Sequence, residues 1–122
     1  MDILLLFFLL QVKHCYADFV IQTYDQTVKK GIYRDPVGIS HSIDHIYTSM
    51  IALLGYSFFF PISPVLIFAL PFLEGIVHYH IDWFKVRFGT KNMQTPLFWQ
   101  QFGYDQLAHQ ATYILMALCI CV

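Results

Sequence analysis

Four long apolar stretches of this chain each carry two metal-ligand side chains four residues apart: His14/Asp18, His41/His45, His78/Asp82 and Asp105/His109. Glu74 extends the third pair into Glu74-x3-His78-x3-Asp82. In an α-helix, residues i and i+4 lie one above the other on the same face. Each pair therefore predicts a helix that presents two ligands in one direction. Four such helices in one short chain predict a shared site.

The solvent around those helices follows from the scarcity of charge. The 122 residues are 57% hydrophobic and only 12% charged, where a soluble domain carries about 25%. The apolar stretches run over about 3–24, 40–60, 64–84 and 104–122, each close to the ~20 residues that a helix needs to cross a ~30 Å hydrocarbon layer. A helix also satisfies its own backbone where no water is present. The expected fold is all-α: a single domain, 1–122, forming an antiparallel bundle of four transmembrane helices. Pro61 and Pro64 mark a short turn, and Gly89, Asn92 and Pro96 mark a longer connection. The apolar start has no preceding basic residue and no small-x-small cleavage site, so it reads as a retained first helix rather than a signal peptide. A net charge of -1 gives no basis for nucleic-acid binding.

Basic residues set the expected orientation. Lys29, Lys30 and Arg34 lie between the first two spans, and Lys85, Arg87 and Lys91 between the last two. The positive-inside rule places both long loops in the cytoplasm and both termini outside. All four ligand pairs then fall at one depth, toward the cytoplasmic ends.

Ionisable groups at that depth need partners. Each costs roughly 2.5–3.5 kcal/mol in the bilayer interior even on the lenient insertion scale. A divalent cation offsets this by cancelling carboxylate charge and using neutral imidazole lone pairs. The mixed nitrogen and oxygen donors suit Zn, Mn or Fe. The candidate metal ligands are His14, Asp18, His41, His45, His78, Asp82, Asp105 and His109. They outnumber the four ligands of one tetrahedral zinc, so either two ions bind or some members act from outside the coordination sphere. Glu74 and Asp44 are the candidate catalytic carboxylates, able to take a proton from an attacking water or to orient an imidazole. His41-Ser-Ile-Asp-His45 shares the zincin spacing of two His one turn apart, although Asp44 is displaced around the helix from both. Di-iron helix bundles offer a similar layout at a different spacing.

The stretches HCYADFVIQ (14–22), HSIDH (41–45), HYHIDWFK (78–85) and DQLAH (105–109) resemble the motifs of domain-of-unknown-function family 3307, small membrane proteins of bacteria and phages. The resemblance covers nearly the whole chain. It implies a shared site drawn from His14, Asp18, Gln22, His41, His45, His78, Asp82, Lys85, Asp105, Gln106 and His109, and a bacterial cytoplasmic membrane location. A looser likeness to bacterial inner-membrane proteins regarded as metal-dependent hydrolases is an analogy of family only.

These readings converge on a metal-dependent hydrolase acting at the membrane on an amphiphilic substrate, a lipid or lipid phosphate. A proton or ion relay, or a transport protein that would need to be a homo-oligomer, uses the same residues. A non-catalytic phage or bacterial interaction factor, held together by a polar network, is a further alternative. Bis-His haem ligation would not need a carboxylate one turn from each imidazole. His80 should face away from His78. Cys15, Cys119 and Cys121 read as small packing residues, Gln22 and Lys85 as orienting or anchoring groups, and the phenylalanine runs as lipid-facing.

Overall fold

The computed structural model describes residues 2–121. Among them the chain is all-α, with five α-helices and no strand. The first, α1, spans Ile3–Cys15 and is capped by Asp2, whose carboxylate accepts from the Leu4 and Leu5 N–H groups. It continues as a π turn over Tyr16–Val20. A short α2 follows at Tyr24–Lys29. The long helices are α3 at Pro36–Ser57, α4 at Pro64–Phe88 and α5 at Pro96–Cys121. Each of these three opens on a proline, whose fixed φ and missing N–H suit the first helical position.

The expected first span, 3–24, is not one helix. The Ile21 N–H reaches back five residues to the Tyr16 carbonyl at 3.0 Å, so the turn carries one residue more than an α turn. Thr23 and Gln26 then form a capping box that starts a new helix. The second span begins four residues before the expected 40. The third continues to Phe88, and the fourth begins at Pro96 rather than near 104. In each case apolar periodicity marks the middle of the helix while capping residues mark its ends.

The long helices form a ring: α1 packs on α3 and α5, and α4 packs on α3 and α5. Contacts fix their directions. Asp18 meets His41 while the Asp2 carbonyl accepts from the Tyr56 hydroxyl, so α1 and α3 run antiparallel. Asp82 meets His109 and Glu74 meets Tyr113, so α4 and α5 do too. Gly75 lets α3 and α4 close up, because a Cβ there would collide with Ile46 and stand 3.3 Å from the Ser42 carbonyl.

Every inward seam changes character at the same level. Leu6 and Leu10 give way to Lys13 and His14 along α1, and Leu53 and Ala52 to Ser49 and His45 along α3. On α4 the change is from Ile67 and Leu70 to Glu74, His78 and Asp82; on α5, from Ile120 and Met116 to Tyr113, His109 and Asp105. One end of the molecule therefore has an apolar core and the other a polar one. The outward faces are mainly apolar, with Phe8, Ile51, Phe68, Phe72 and Leu115 all exposed.

Two segments, Ile3–Val20 and Pro64–Phe88, are long and apolar enough to cross a membrane. The helices α3 and α5 are as long but dilute their apolar residues with Ser, His, Gln and Tyr. The cysteines do not pack inside, as their small apolar character suggested: Cys15, Cys119 and Cys121 are all exposed.

Candidate metal centre

Five of the six histidines turn inward and meet in the polar half of the molecule; the sixth, His80, is exposed and donates from Nδ1 to the Ile76 carbonyl at 2.8 Å. The convergence follows from helical phase. His41 and His45 lie on the α3 seam with Ser49, and Glu74, His78 and Asp82 occupy three successive turns of α4.

Asp18 is the focus. Its Oδ1 lies 3.0 Å from Nε2 of His41, 3.0 Å from Nε2 of His45 and 3.7 Å from Nε2 of His78. The His41 and His78 Nε2 atoms are 3.3 Å apart. One ligand atom from each of these four residues lies within 4.8 Å of the others. For metal–nitrogen bonds of 2.0–2.1 Å, the edges of a coordination tetrahedron are about 3.3 Å. The four groups therefore stand near the spacing of a tetrahedral N3O site.

A second group adjoins the first and shares His78. His78, Asp82 and His109 also offer atoms within 4.8 Å of one another. Asp82 faces both groups: Oδ2 lies 3.3 Å from His41 Nε2 and 3.2 Å from His78 Nε2, while Oδ1 lies 3.4 Å from His109 Nε2. Three buried atoms here make no hydrogen bond among the described residues: His78 Nδ1, His109 Nε2 and Asp105 Oδ1. Buried polar groups are rarely left so. Two of the three, His109 Nε2 and Asp105 Oδ1, face each other at 3.5 Å.

Charge pairing separates Asp18 from the other buried carboxylates. Glu74 is paired with Lys13 at 2.9 Å, Asp82 with Lys30 at 3.0 Å and Asp105 with Lys85 at 3.2 Å. No lysine pairs with Asp18 among the described residues. Its ion-pair partners are imidazoles, with His14 Nε2 at 3.2 Å from Oδ2 completing the set. The shortfall of positive charge sits where the imidazole nitrogens converge.

A supporting layer surrounds these groups. Glu74 accepts from Lys13, from the Ser49 hydroxyl at 3.0 Å and from the Tyr113 hydroxyl at 3.5 Å. Its Oε1 stands 3.6 Å from His45 Nδ1 and 3.8 Å from His78 Nδ1, behind the nitrogens that face Asp18. His14 is held by Tyr113 at Nδ1 and Gln106 at Nε2, at 2.8 and 3.0 Å. The Gln22 amide lies 2.7 Å from His41 Nε2.

The expected site residues thus divide. His41, His45, His78 and Asp18 form one ligand-spaced group, and Asp82 and His109 form the second with His78. His14 and Asp105 border them, joined to Asp18 and His109 respectively. Glu74 stands behind the imidazoles. Asp44 is not brought in: its carboxylate accepts from Gln26 at 2.9 Å on the α2 side of α3. Lys13, Ser49 and Tyr113 were not anticipated as site residues, and Lys30 was expected only as a loop charge. The signal for Lys13 was present, since a lone ammonium in an apolar run demands a buried partner. Lys30 carried no such signal. It is buried because Gly38, where a Cβ would lie 2.8 Å from the Lys30 Cα, lets the end of α2 settle on α3.

Comparison with curated proteins and with solved structures gives no match. The model of a family described as a protein of unknown function, DUF3307, matches residues 5–122. All the clustered histidines and carboxylates fall inside that match, and the chain belongs to the DUF3307 family.

Proposed function

We propose that this is a membrane-embedded metalloprotein that hydrolyses an amphiphilic substrate at its polar end. The observation that carries the reading is Asp18, a carboxylate without a lysine, surrounded by His41, His45 and His78 at ligand spacing. Asp18, His41, His45 and His78 would hold a divalent transition ion such as Zn, Mn or Fe, which would supply the missing charge and which the nitrogen–oxygen donor set suits. Asp82, with one oxygen toward each group, would help hold a second ion. Embedding in a bilayer is supported by the apolar outer faces, which in water would form far larger patches than soluble monomers tolerate. It is supported too by Ile3–Val20 and Pro64–Phe88. In this reading α1, α3, α4 and α5 form a four-helix bundle in a bacterial cytoplasmic membrane. Lys29, Arg34, Arg87 and Lys91 then mark the cytoplasmic side, Lys30 being buried on Asp82.

A bound ion would lower the pKa of a water toward neutrality and polarise a phosphoryl or carbonyl oxygen. The protein's own residues do the rest. Lys13, held by Glu74, fixes the orientation of His45 from behind. Asp105 is the best-placed proton acceptor, because it borders an open groove and its Oδ1 makes no hydrogen bond among the described residues. Hydrolysis forms a bond from the water oxygen to phosphorus or carbonyl carbon and breaks the ester bond. The water proton passes to the Asp105 carboxylate and from it to the leaving alkoxide.

The test is metal content by inductively coupled plasma mass spectrometry on untagged, detergent-purified protein, beside a His78→Ala/Asp82→Ala variant. One or two equivalents of a transition metal, lost in the variant, are expected. Folded wild-type protein that stays metal-free after loading with Zn, Mn and Fe would overturn the reading. A specific observation favours a proton relay in that event. Glu74, Tyr113, His14 and Asp18 form a continuous polar chain that reaches Gln22 through His41.

A further inference from the structure

Two cavities meet beside the metal centre, and their walls differ in chemistry. The first, of about 610 Å³, lies between α4 and α5 and is walled largely by Phe84, Phe88, Ile81, Tyr104 and Ala108. Phe84, Phe88 and Tyr104 are exposed, so the groove opens sideways on the apolar surface. The second, of about 470 Å³, lies at the loop end; Lys30, Lys85 and Lys91 line it with amide and hydroxyl side chains and with Val28, Val86, Met93 and Phe98, and no carboxylate does. Both volumes fall within the range of small-molecule sites, about 300–1,000 Å³. Lys85, Gly89 and Gln101 border both cavities.

The basic cavity also adjoins the metal-ligand cluster. Two of its lining side chains touch that cluster: Lys30 donates to Asp82, and the Gln22 amide lies against His41. Lys91 forms no ion pair among the described residues and is exposed, so its charge is free to meet an anion. Lys30 and Lys85 are already paired with Asp82 and Asp105, so Lys91 supplies the uncompensated charge, and Gln22, Thr27, Thr90 and Gln101 add the polar groups that suit an oxyanion. An apolar groove running from the same junction suits a hydrocarbon chain.

We propose that these cavities form one bipartite site for a phosphate-bearing amphiphile, its phosphate among Lys30, Lys85 and Lys91 and its chain along Phe84 and Phe88. The inference rests on the metallohydrolase reading for its catalytic meaning and narrows the substrate of that enzyme to an alkyl or lipid phosphate. The phosphate chemistry alone would equally fit free phosphate, and the apolar groove decides between the two sources.

The experiment is isothermal titration of the full chain in neutral detergent with three probes: hexyl phosphate, inorganic phosphate and hexanol. Hexyl phosphate is expected to bind at least about 30-fold more tightly than inorganic phosphate, with no saturable binding of hexanol. Lys91→Gln should weaken hexyl phosphate about tenfold, the scale of one charge-assisted contact. Phe88→Ala should weaken hexyl phosphate and leave inorganic phosphate unchanged. Both side chains are exposed, so neither change threatens the fold. Equal affinity for hexyl and inorganic phosphate, insensitive to Phe88→Ala, would assign the site to free phosphate and overturn the proposal. So would absence of binding by either phosphate. Pairing the titration with the metal content of the wild-type chain separates the two readings. Hexyl phosphate binding by wild-type protein that stays metal-free after loading keeps this site and removes the metalloenzyme. A metal-loaded chain that binds no hexyl phosphate does the reverse.

Discussion

Lys13 shows how much one residue can organise. Its ammonium is buried in α1, donates to Glu74 at 2.9 Å and lies 3.1 Å from His45 Nδ1. Replacing it by Met leaves Glu74 charged and unpaired in the interior, which should cost about 3–5 kcal/mol. The Lys13→Met/Glu74→Gln double variant should recover much of that, because no uncompensated charge remains. Denaturant midpoints of the two proteins check this, and equal destabilisation would show that the pair is not coupled. Asp18→Asn tests the opposite case, a carboxylate that no lysine pairs. It should fold normally and lose at least about 100-fold in metal affinity, more than the 10–100-fold typical of outer partners. Competition with a chromophoric chelator measures it. Both residues sit in the first apolar stretch, where the sequence displays a charge in need of a partner. The identity of the partner, sixty residues away for Lys13, belongs to the packing of α1 against α4.

At the scale of elements, the π turn at Tyr16–Val20 is the feature that periodicity could not supply. A 3.6-residue repeat reads through such a turn, since one inserted residue shifts the phase only downstream. Here it ends α1, releases Gln22 toward His41 and lets Thr23 and Gln26 start α2. Deleting the exposed Phe19 should restore an α turn and rotate everything after it by about 100°. Gln22 then leaves His41 and Lys30 leaves Asp82. The expected result is retained helix content by circular dichroism with metal affinity lowered at least tenfold; unchanged affinity would mean that α2 takes no part in the centre. The α3–α4 contact makes a second test. Gly75→Val forces Ile46 aside and should cost about 1–3 kcal/mol by overpacking. Because Glu74 and His78 flank that position, metal uptake should fall with stability, whereas the exposed Gly103, with open space around a Cβ, should accept Ala without either effect.

The whole molecule has apolar outer faces around a core that is half hydrocarbon and half ionisable. Water would not reward that arrangement, because Phe8, Phe68, Phe72 and Leu115 gain nothing by exposure to it. A bilayer would, and it would also strengthen each interior ion pair by excluding water. The chain is therefore expected to sediment with membranes and to resist alkaline carbonate extraction. Release into the soluble fraction would defeat the membrane reading while leaving the geometry of the centre intact. Charge placement belongs to this scale as well. Lys30 and Lys85 stand in loops by sequence, yet both turn back onto buried carboxylates, so the proposed orientation rests on Lys29, Arg34, Arg87 and Lys91.

The sequence by itself determined that the chain is helical and that the histidine and carboxylate pairs of α3, α4 and α5 each share one face of their helix. Those properties are local: the 3.6-residue repeat, the proline starts and the i, i+4 pairs act within a turn or two. It also determined that the histidines and carboxylates would need one another, because apolar surroundings forbid isolated charge. Only the tertiary structure decided which partner each group received. Glu74, expected near the chemistry, stands behind the imidazoles; Asp44, displaced around α3 from His41 and His45, turns to Gln26; among the described residues Asp18 is the clustered carboxylate that no lysine pairs. Such choices depend on helix rotation, on the extra residue of the π turn and on how closely Gly38 and Gly75 let neighbours approach. They are non-local distances, and no spacing along the chain encodes them.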